Sequence, residues 1–102
     1  MSTLVTEMYC IEMTKPFSDI AARIKWHRGL LKLNQENYAA LIRANRSALA
    51  NWEAGHKRIS LDAALIMREK FGLSLDFIYE GIEDALPMSL RNELLDKPID
   101  KS

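Results

Sequence analysis

Three hydrogen-bonding side chains, Arg46, Ser47 and Asn51, lie within one short stretch of the sequence. An arginine can donate two bonds to O6 and N7 of guanine, and an asparagine can pair in the same way with N6 and N7 of adenine. A serine hydroxyl can contact either base. These residue types suit contact with the edges of DNA bases, provided that one face of one element presents all three.

A short helix is the element predicted to carry these side chains. Asn45 is a suitable N-cap, because its side-chain oxygen can accept a bond from a free N–H one turn on. Gly55 is expected to end the helix, since glycine adopts the left-handed conformation without a Cβ clash. Leu49 and Trp52 form an apolar stripe at helical spacing, so the three polar side chains are expected to face solvent.

A second short helix is predicted directly before it, with Asn34 as its N-cap. Tyr38, Ala39 and Ile42 recur at helical spacing on one face of this helix. The small side chain of Ala39 allows the two helices to cross closely. Two short helices joined by a tight turn and crossing steeply have the geometry of a helix-turn-helix.

The stretch from residue 34 to 55 resembles the DNA-binding domains of phage repressors and Cro proteins, the XRE family. The matching positions are Gln35, Ala39, Leu49, Trp52, Glu53 and Gly55. The resemblance extends from about Ile20 to Gly81. It implies an all-α, lambda-repressor-like domain of five helices from a bacterium or phage.

The resemblance also implies roles for individual residues. It places base contacts at Arg46, Ser47 and Asn51. Gln35 resembles the phosphate-binding glutamine of the family, and a helix N-terminus offers free N–H groups to the same anion. Further phosphate contacts are predicted for Asn34, Arg43, Asn45, Lys57 and Arg58.

Two more residues resemble a structural pair of the family. In those repressors an arginine of the first helix pairs with the glutamate before the closing glycine, which here are Arg28 and Glu53. One departure concerns the turn between the two helices. The family often has glycine there, in a left-handed conformation, and this chain has Arg43, which a left-handed conformation would strain.

The charge distribution agrees with a DNA-binding surface, although the net charge of the chain is zero. Residues 23–58 contain eight basic and two acidic residues, a net charge of +6. Residues 1–22 carry −2 and residues 59–102 carry −4. A basic segment at the expected DNA contact is the electrostatic footprint of a nucleic-acid-binding domain. A solvated helical face that is merely basic is the alternative.

Three further helices are predicted around this unit. The first runs to about Lys32 and has Ser18 or Asp19 as its N-cap. Ser60 is expected to cap a helix that ends at Gly72, and Ser74 a short one that ends at Gly81. The chain then divides into an N-terminal arm (1–16), a DNA-binding domain (17–81) and a C-terminal extension (82–102).

The two ends have several interpretations. Residues 1–15 are rich in β-forming residues and could be a strand that pairs with a partner chain, a disordered arm or an extension of the first helix. After Pro87, the apolar residues Leu90, Leu94 and Leu95 allow a further short helix. This helix could fold back on the domain or form a small dimer contact.

Catalysis, metal binding and cofactor binding are not expected. His27 and His56 lie on different elements without a third ligand at metal spacing. Histidines in such a chain are more often surface residues than catalysts, although His27 or Arg28 continues the apolar stripe of the first helix. The sequence has no glycine-rich phosphate loop. Cys10, the single cysteine, suits a reducing cytoplasm. We identify no signal peptide and no membrane-spanning run, so a cytoplasmic, nucleoid-associated protein is expected.

Two functions remain open on the sequence. The first is sequence-specific binding of double-stranded DNA by a homodimer on a near-palindromic operator, as a transcriptional regulator and more specifically a repressor. The second is a protein-binding adaptor or antitoxin of the same fold. Its protein partner would bind the N-terminal arm or the C-terminal extension.

Overall fold

The computed structural model describes residues 16–99, which form six helices and no strand. The predicted all-α fold is therefore confirmed. The helices are α1 (Ser18–Leu31), α2 (Gln35–Leu41), α3 (Arg46–Glu53), α4 (Leu61–Phe71), α5 (Leu75–Glu80) and α6 (Met88–Asp96). None of them combines the length and the apolar character that crossing a bilayer requires. The predictions for residues 1–15 lie outside the described residues.

Four of the helices begin at the capping residues predicted from the sequence. Asn34 and Asn45 accept bonds from backbone N–H groups three residues on, at 2.8 Å and 2.7 Å. Ser60 and Ser74 do the same at 3.2 Å and 3.1 Å. Each bond satisfies one of the N–H groups that a helix start leaves without a partner. The caps therefore fix where α2, α3, α4 and α5 begin.

The start of α1 differs from the prediction. Its N-cap is Phe17, which makes no side-chain capping bond, and neither Ser18 nor Asp19 caps the helix. The backbone of Phe17 explains this start: its N–H donates to the carbonyl of Gly55 at 3.2 Å, and its carbonyl accepts from Ala21 at 3.0 Å. A long-range backbone contact thus sets the first residue of α1. Asp19 still lies in the first turn, where a negative charge is favourable.

The core lies where α1 packs against α3 and α5 while α2 crosses α3. Ala39 is buried at the close approach that the sequence predicted for it. The largest fully buried side chains are Tyr38, Ile24, Ile42, Leu49, Met67, Leu73 and Ile78. The helix pair predicted to carry the site is therefore held by apolar residues of the rest of the domain.

His27 is buried inside this core. Of the two alternatives for the apolar stripe of α1, His27 and Arg28, the structure buries His27. Its ring shares a hydrogen bond with the hydroxyl of Tyr38, with 2.7 Å between Nδ1 and the oxygen. The ring of Phe71 lies 4.7 Å from the imidazole, centroid to centroid. Burial lowers the pKa of His27 to about 4, so the imidazole is neutral near pH 7. The tyrosine hydroxyl satisfies the buried ring, which is why a histidine is tolerated here.

The helix α6 folds back on the domain, which is one of the two alternatives for the extension. The indole N–H of Trp26 donates to the carbonyl of Lys97 at 2.7 Å. Leu90 and Leu94 pack against the core as partly buried residues. Leu95, by contrast, is 82% exposed. Two of the three leucines of α6 therefore pack against the domain, and the third faces solvent.

The turn between α2 and α3 contains the left-handed residue that the sequence indicated. Arg43 has φ = +56°, a conformation that glycine usually occupies. A side chain in this conformation costs roughly 1–2 kcal/mol. The carbonyls of Ala39 and Ala40 accept the N–H groups of Ala44 and Arg43, which stabilises the turn in spite of the strain.

Arg43→Gly is therefore expected to stabilise the protein by about 0.5–1 kcal/mol. The free energy gained by relieving the backbone strain exceeds the entropy cost of ordering a more flexible glycine on folding. Urea denaturation without DNA measures this change. The matched control is Lys25→Gly in the middle of α1, which should lose up to about 1 kcal/mol. A loss of stability in Arg43→Gly would contradict the role assigned to the strain.

Candidate nucleic-acid interface

The helix α3 has one buried face and one exposed face. Leu49 and Trp52 point into the core, as predicted. Arg46, Ser47 and Asn51 are all exposed. The structure therefore leaves the three predicted base-contacting side chains accessible on a helix that the core holds in place.

The first turns of α2 and α3 offer polar groups to an anion. Asn34 and Asn45 use their side-chain oxygens for capping. Their side-chain nitrogens are separate groups that can each donate to a phosphate. Both residues are exposed. Each asparagine can therefore cap its helix with the side-chain oxygen and donate to a phosphate with the side-chain nitrogen. Free backbone N–H groups at a helix N-terminus bind anions in the same way.

A carboxylate joins the end of α3 to α1 and to the start of α2. Arg28 donates to both oxygens of Glu53, from Nε to Oε2 at 2.7 Å and from Nη2 to Oε1 at 2.9 Å. A third bond runs from Arg28 Nη1 to the carbonyl of Leu33 at 2.9 Å. The hydrogen bond to Glu53 raises the pKa of Arg28 above its ordinary value. This is the side-chain pair that the family resemblance implied.

Gln35 takes part in the same cluster, which the sequence did not indicate. Its Nε2 donates to Oε1 of Glu53 at 3.1 Å. The two residues are separated by 18 positions and lie on different helices, so no periodic pattern links them. A side-chain amide nitrogen has two hydrogens, and Glu53 takes one of them. The predicted phosphate contact of Gln35 can use the other.

Only some of the basic side chains between positions 23 and 58 lie at the predicted interface. Arg23 donates to the carbonyl of Ile78 at 3.1 Å, in the last turn of α5. Arg58 lies with its guanidinium carbon 5.5 Å from the centroid of the Phe17 ring, a cation–π arrangement. Together with Arg28, these arginines make contacts within the domain. The exposed cations at the predicted interface are Arg43, Arg46, Lys57 and also Arg58, which remains exposed beside the Phe17 ring.

A comparison with protein families finds one model, described as Helix-turn-helix, that matches residues 24–78. This range is more than half of the chain. The chain belongs to the helix-turn-helix family. Comparisons with curated proteins and with solved structures find no match.

The family confirms the predicted resemblance to repressor and Cro-type domains. Helix-turn-helix proteins of this kind are DNA-binding regulators of transcription, and this protein is one of them. The matched range contains α2, α3 and α4 completely and includes most of α1 and α5. Helix α6 lies outside it. The helix-turn-helix itself consists of α2, the turn around Arg43, and α3.

Proposed function

We propose that this helix-turn-helix protein binds double-stranded DNA at specific sequences and represses transcription by occupying promoters. The observation that carries the proposal is the division of α3 into a core face with Leu49 and Trp52 and an exposed face with Arg46, Ser47 and Asn51. In a helix-turn-helix the second helix lies in the major groove, with its N-terminal residues at the bases. Gln35, Asn34, Asn45, Arg43, Lys57 and Arg58 are proposed to contact phosphates.

The active species is proposed to be a homodimer acting in the cytoplasm. One domain covers about one half-site, and a two-fold symmetric pair matches a near-palindromic operator with half-sites about one helical turn apart. We propose no cofactor and no catalytic step.

The test is a selection of duplex DNA from a random pool by the purified protein. The selected duplex is then compared with a scrambled duplex of the same composition at two salt concentrations. A two-fold symmetric motif that is bound about 10³-fold or more tightly than the scramble supports the proposal. If the pool yields no motif and binding is weak and salt-sensitive only, sequence-specific binding is refuted.

Arg46→Ala is expected to weaken binding to the selected duplex by roughly 1–3 kcal/mol and to relax the preference at one base position, because a bidentate contact is lost. A repeated selection with the variant measures both effects. Lys25→Ala on α1 is the control, since it removes an exposed positive charge without touching α3. An unchanged motif for Arg46→Ala would show that Arg46 does not contact a base.

Lys57→Ala is expected to weaken binding to all duplexes alike, because a lysine at a phosphate carries no base preference. The slope of log affinity against log salt should become shallower by about one unit. Titrations of the selected and scrambled duplexes at several salt concentrations measure this. A loss confined to the selected duplex would contradict the assignment.

A protein-binding adaptor or antitoxin of the same fold is the second candidate. The exposed apolar residues of α6 favour it, since Met88 is 69% and Leu95 82% exposed. The deciding comparison sets Arg46→Ala against deletion of residues 1–15 or 86–102. If the protein keeps its cellular function with Arg46→Ala and loses that function with either deletion, the adaptor is the correct assignment and the sequence-specific regulator is not.

A further inference from the structure

The carboxylate of Glu53 receives hydrogen bonds from two helices at once. Arg28 of α1 holds both of its oxygens, and Gln35 of α2 donates to Oε1 at 3.1 Å. The side chain of Glu53 is only 3% exposed, whereas Gln35 is half-buried at the start of α2. The cluster therefore runs from a fixed, buried acceptor to a donor at the edge of the proposed interface.

This arrangement determines which atom of the Gln35 amide faces inward. A carboxylate can only accept hydrogen bonds, so the amide nitrogen has to face Glu53 and the amide cannot turn over. The second N–H belongs to the same nitrogen, and the first bond therefore fixes its direction as well. A donor that is already oriented loses less conformational freedom when it binds a ligand.

We propose that Glu53 is a positioning residue for DNA binding and that it acts through Gln35. By holding one N–H, it directs the other N–H of the same nitrogen to a phosphate oxygen. The inference rests on the proposed DNA-binding function. It adds to the stabilising role of the Arg28–Glu53 pair a second role, which concerns affinity for the DNA backbone and leaves base preference unchanged.

The test is a double-mutant cycle of Gln35→Ala and Glu53→Gln on affinity for the selected duplex. Gln35→Ala is expected to weaken binding about tenfold, as for the loss of one hydrogen bond to a charged group. Glu53→Gln should weaken it about fivefold in the wild-type background and less than about twofold in the Gln35→Ala background. Affinities are corrected for the folded fraction, which circular dichroism measures at the same temperature.

A second cycle, of Lys57→Ala with Glu53→Gln, is the matched control. Lys57 lies in the loop after α3 and outside the cluster, so its effect should add to that of Glu53→Gln. Glu53→Asp serves as a further variant if Glu53→Gln is not folded. It keeps a carboxylate for Arg28 and moves the acceptor away from Gln35.

A scan of single methylphosphonate substitutions in the selected duplex separates positioning from general destabilisation. In the wild type, a methylphosphonate at one particular phosphate of each half-site should weaken binding, because Gln35 contacts that phosphate. In Gln35→Ala the same methylphosphonate should have no further effect on affinity. Glu53→Gln should abolish the effect at that same phosphate. Two results would overturn the inference while leaving DNA binding intact. One is that Glu53→Gln reduces the methylphosphonate effects equally at all phosphates. The other is that Glu53→Gln weakens affinity as much in the Gln35→Ala background as in the wild type. If the wild type selects no duplex, the proposed function fails and the inference fails with it.

Discussion

Glu53→Ala is expected to lower the free energy of unfolding by about 3 kcal/mol, at the lower end of the range for a buried ion pair broken from one side. The variant leaves the guanidinium of Arg28 without its carboxylate, and it also removes the acceptor of Gln35. The arginine side chain is 24% exposed and retains some hydration, which keeps the effect from being larger. Thermal unfolding should show a midpoint lower by roughly 10 °C or more.

The matched control for this change is Glu36→Ala. Glu36 is an exposed residue in the first turn of α2 and should cost far less. The base preference of the Glu53→Ala molecules that remain folded should be unaltered, because Glu53 is the buried last residue of α3 and lies away from its exposed face. Equal melting temperatures for Glu53→Ala and the wild type would show that the pair is dispensable.

The second large expected effect is a loss of stability in acid, which the burial of His27 causes. Folding lowers the pKa of His27 from an ordinary 6.5 to about 4, because the buried ring avoids a charge. Below pH 6.5 the unfolded chain binds a proton that the folded protein does not. The stability from His27 is therefore complete above about pH 6.5 and is lost as the pH falls towards 4. The loss between pH 7 and pH 4.5 should be about 2–3 kcal/mol.

Urea denaturation at a series of pH values measures this dependence. The reference is the double variant His27→Leu/Tyr38→Phe, which removes both partners of the buried hydrogen bond and leaves neither without a partner. The two proteins contain the same carboxylates, so the difference between the two curves reports His27. If the curves run parallel between pH 7 and pH 4.5, the buried histidine does not set the acid sensitivity.

The predictable parts of the fold are those that depend on neighbours in the sequence. An N-cap and the N–H that it satisfies lie three residues apart, and Asn34, Asn45, Ser60 and Ser74 could therefore be identified from the sequence. The left-handed conformation of Arg43 was implied by the family resemblance, because the family often has glycine at this position of the turn. Neither prediction needed knowledge of the tertiary structure.

The features that could not be predicted depend on contacts between distant residues. Phe17 begins α1 because Gly55 accepts its N–H, and no local pattern announces that bond. His27 is buried because Tyr38, on another helix, satisfies it. The bond from Gln35 to Glu53 likewise joins two elements. The exposed face of α3 was predictable, since Leu49 and Trp52 define it, whereas the partners of the individual side chains were not.

The shortness of α3 has a consequence for how the protein gains and loses activity. An isolated helix of eight residues is unstable in water, because helix nucleation is costly and few hydrogen bonds follow it. The helix persists because Leu49 and Trp52 are anchored in the core. A synthetic peptide of residues 45–55 should therefore be a random coil without affinity for the operator. In the whole protein we expect the fraction able to bind DNA to equal the folded fraction. The selected duplex in excess should then raise the melting temperature by mass action.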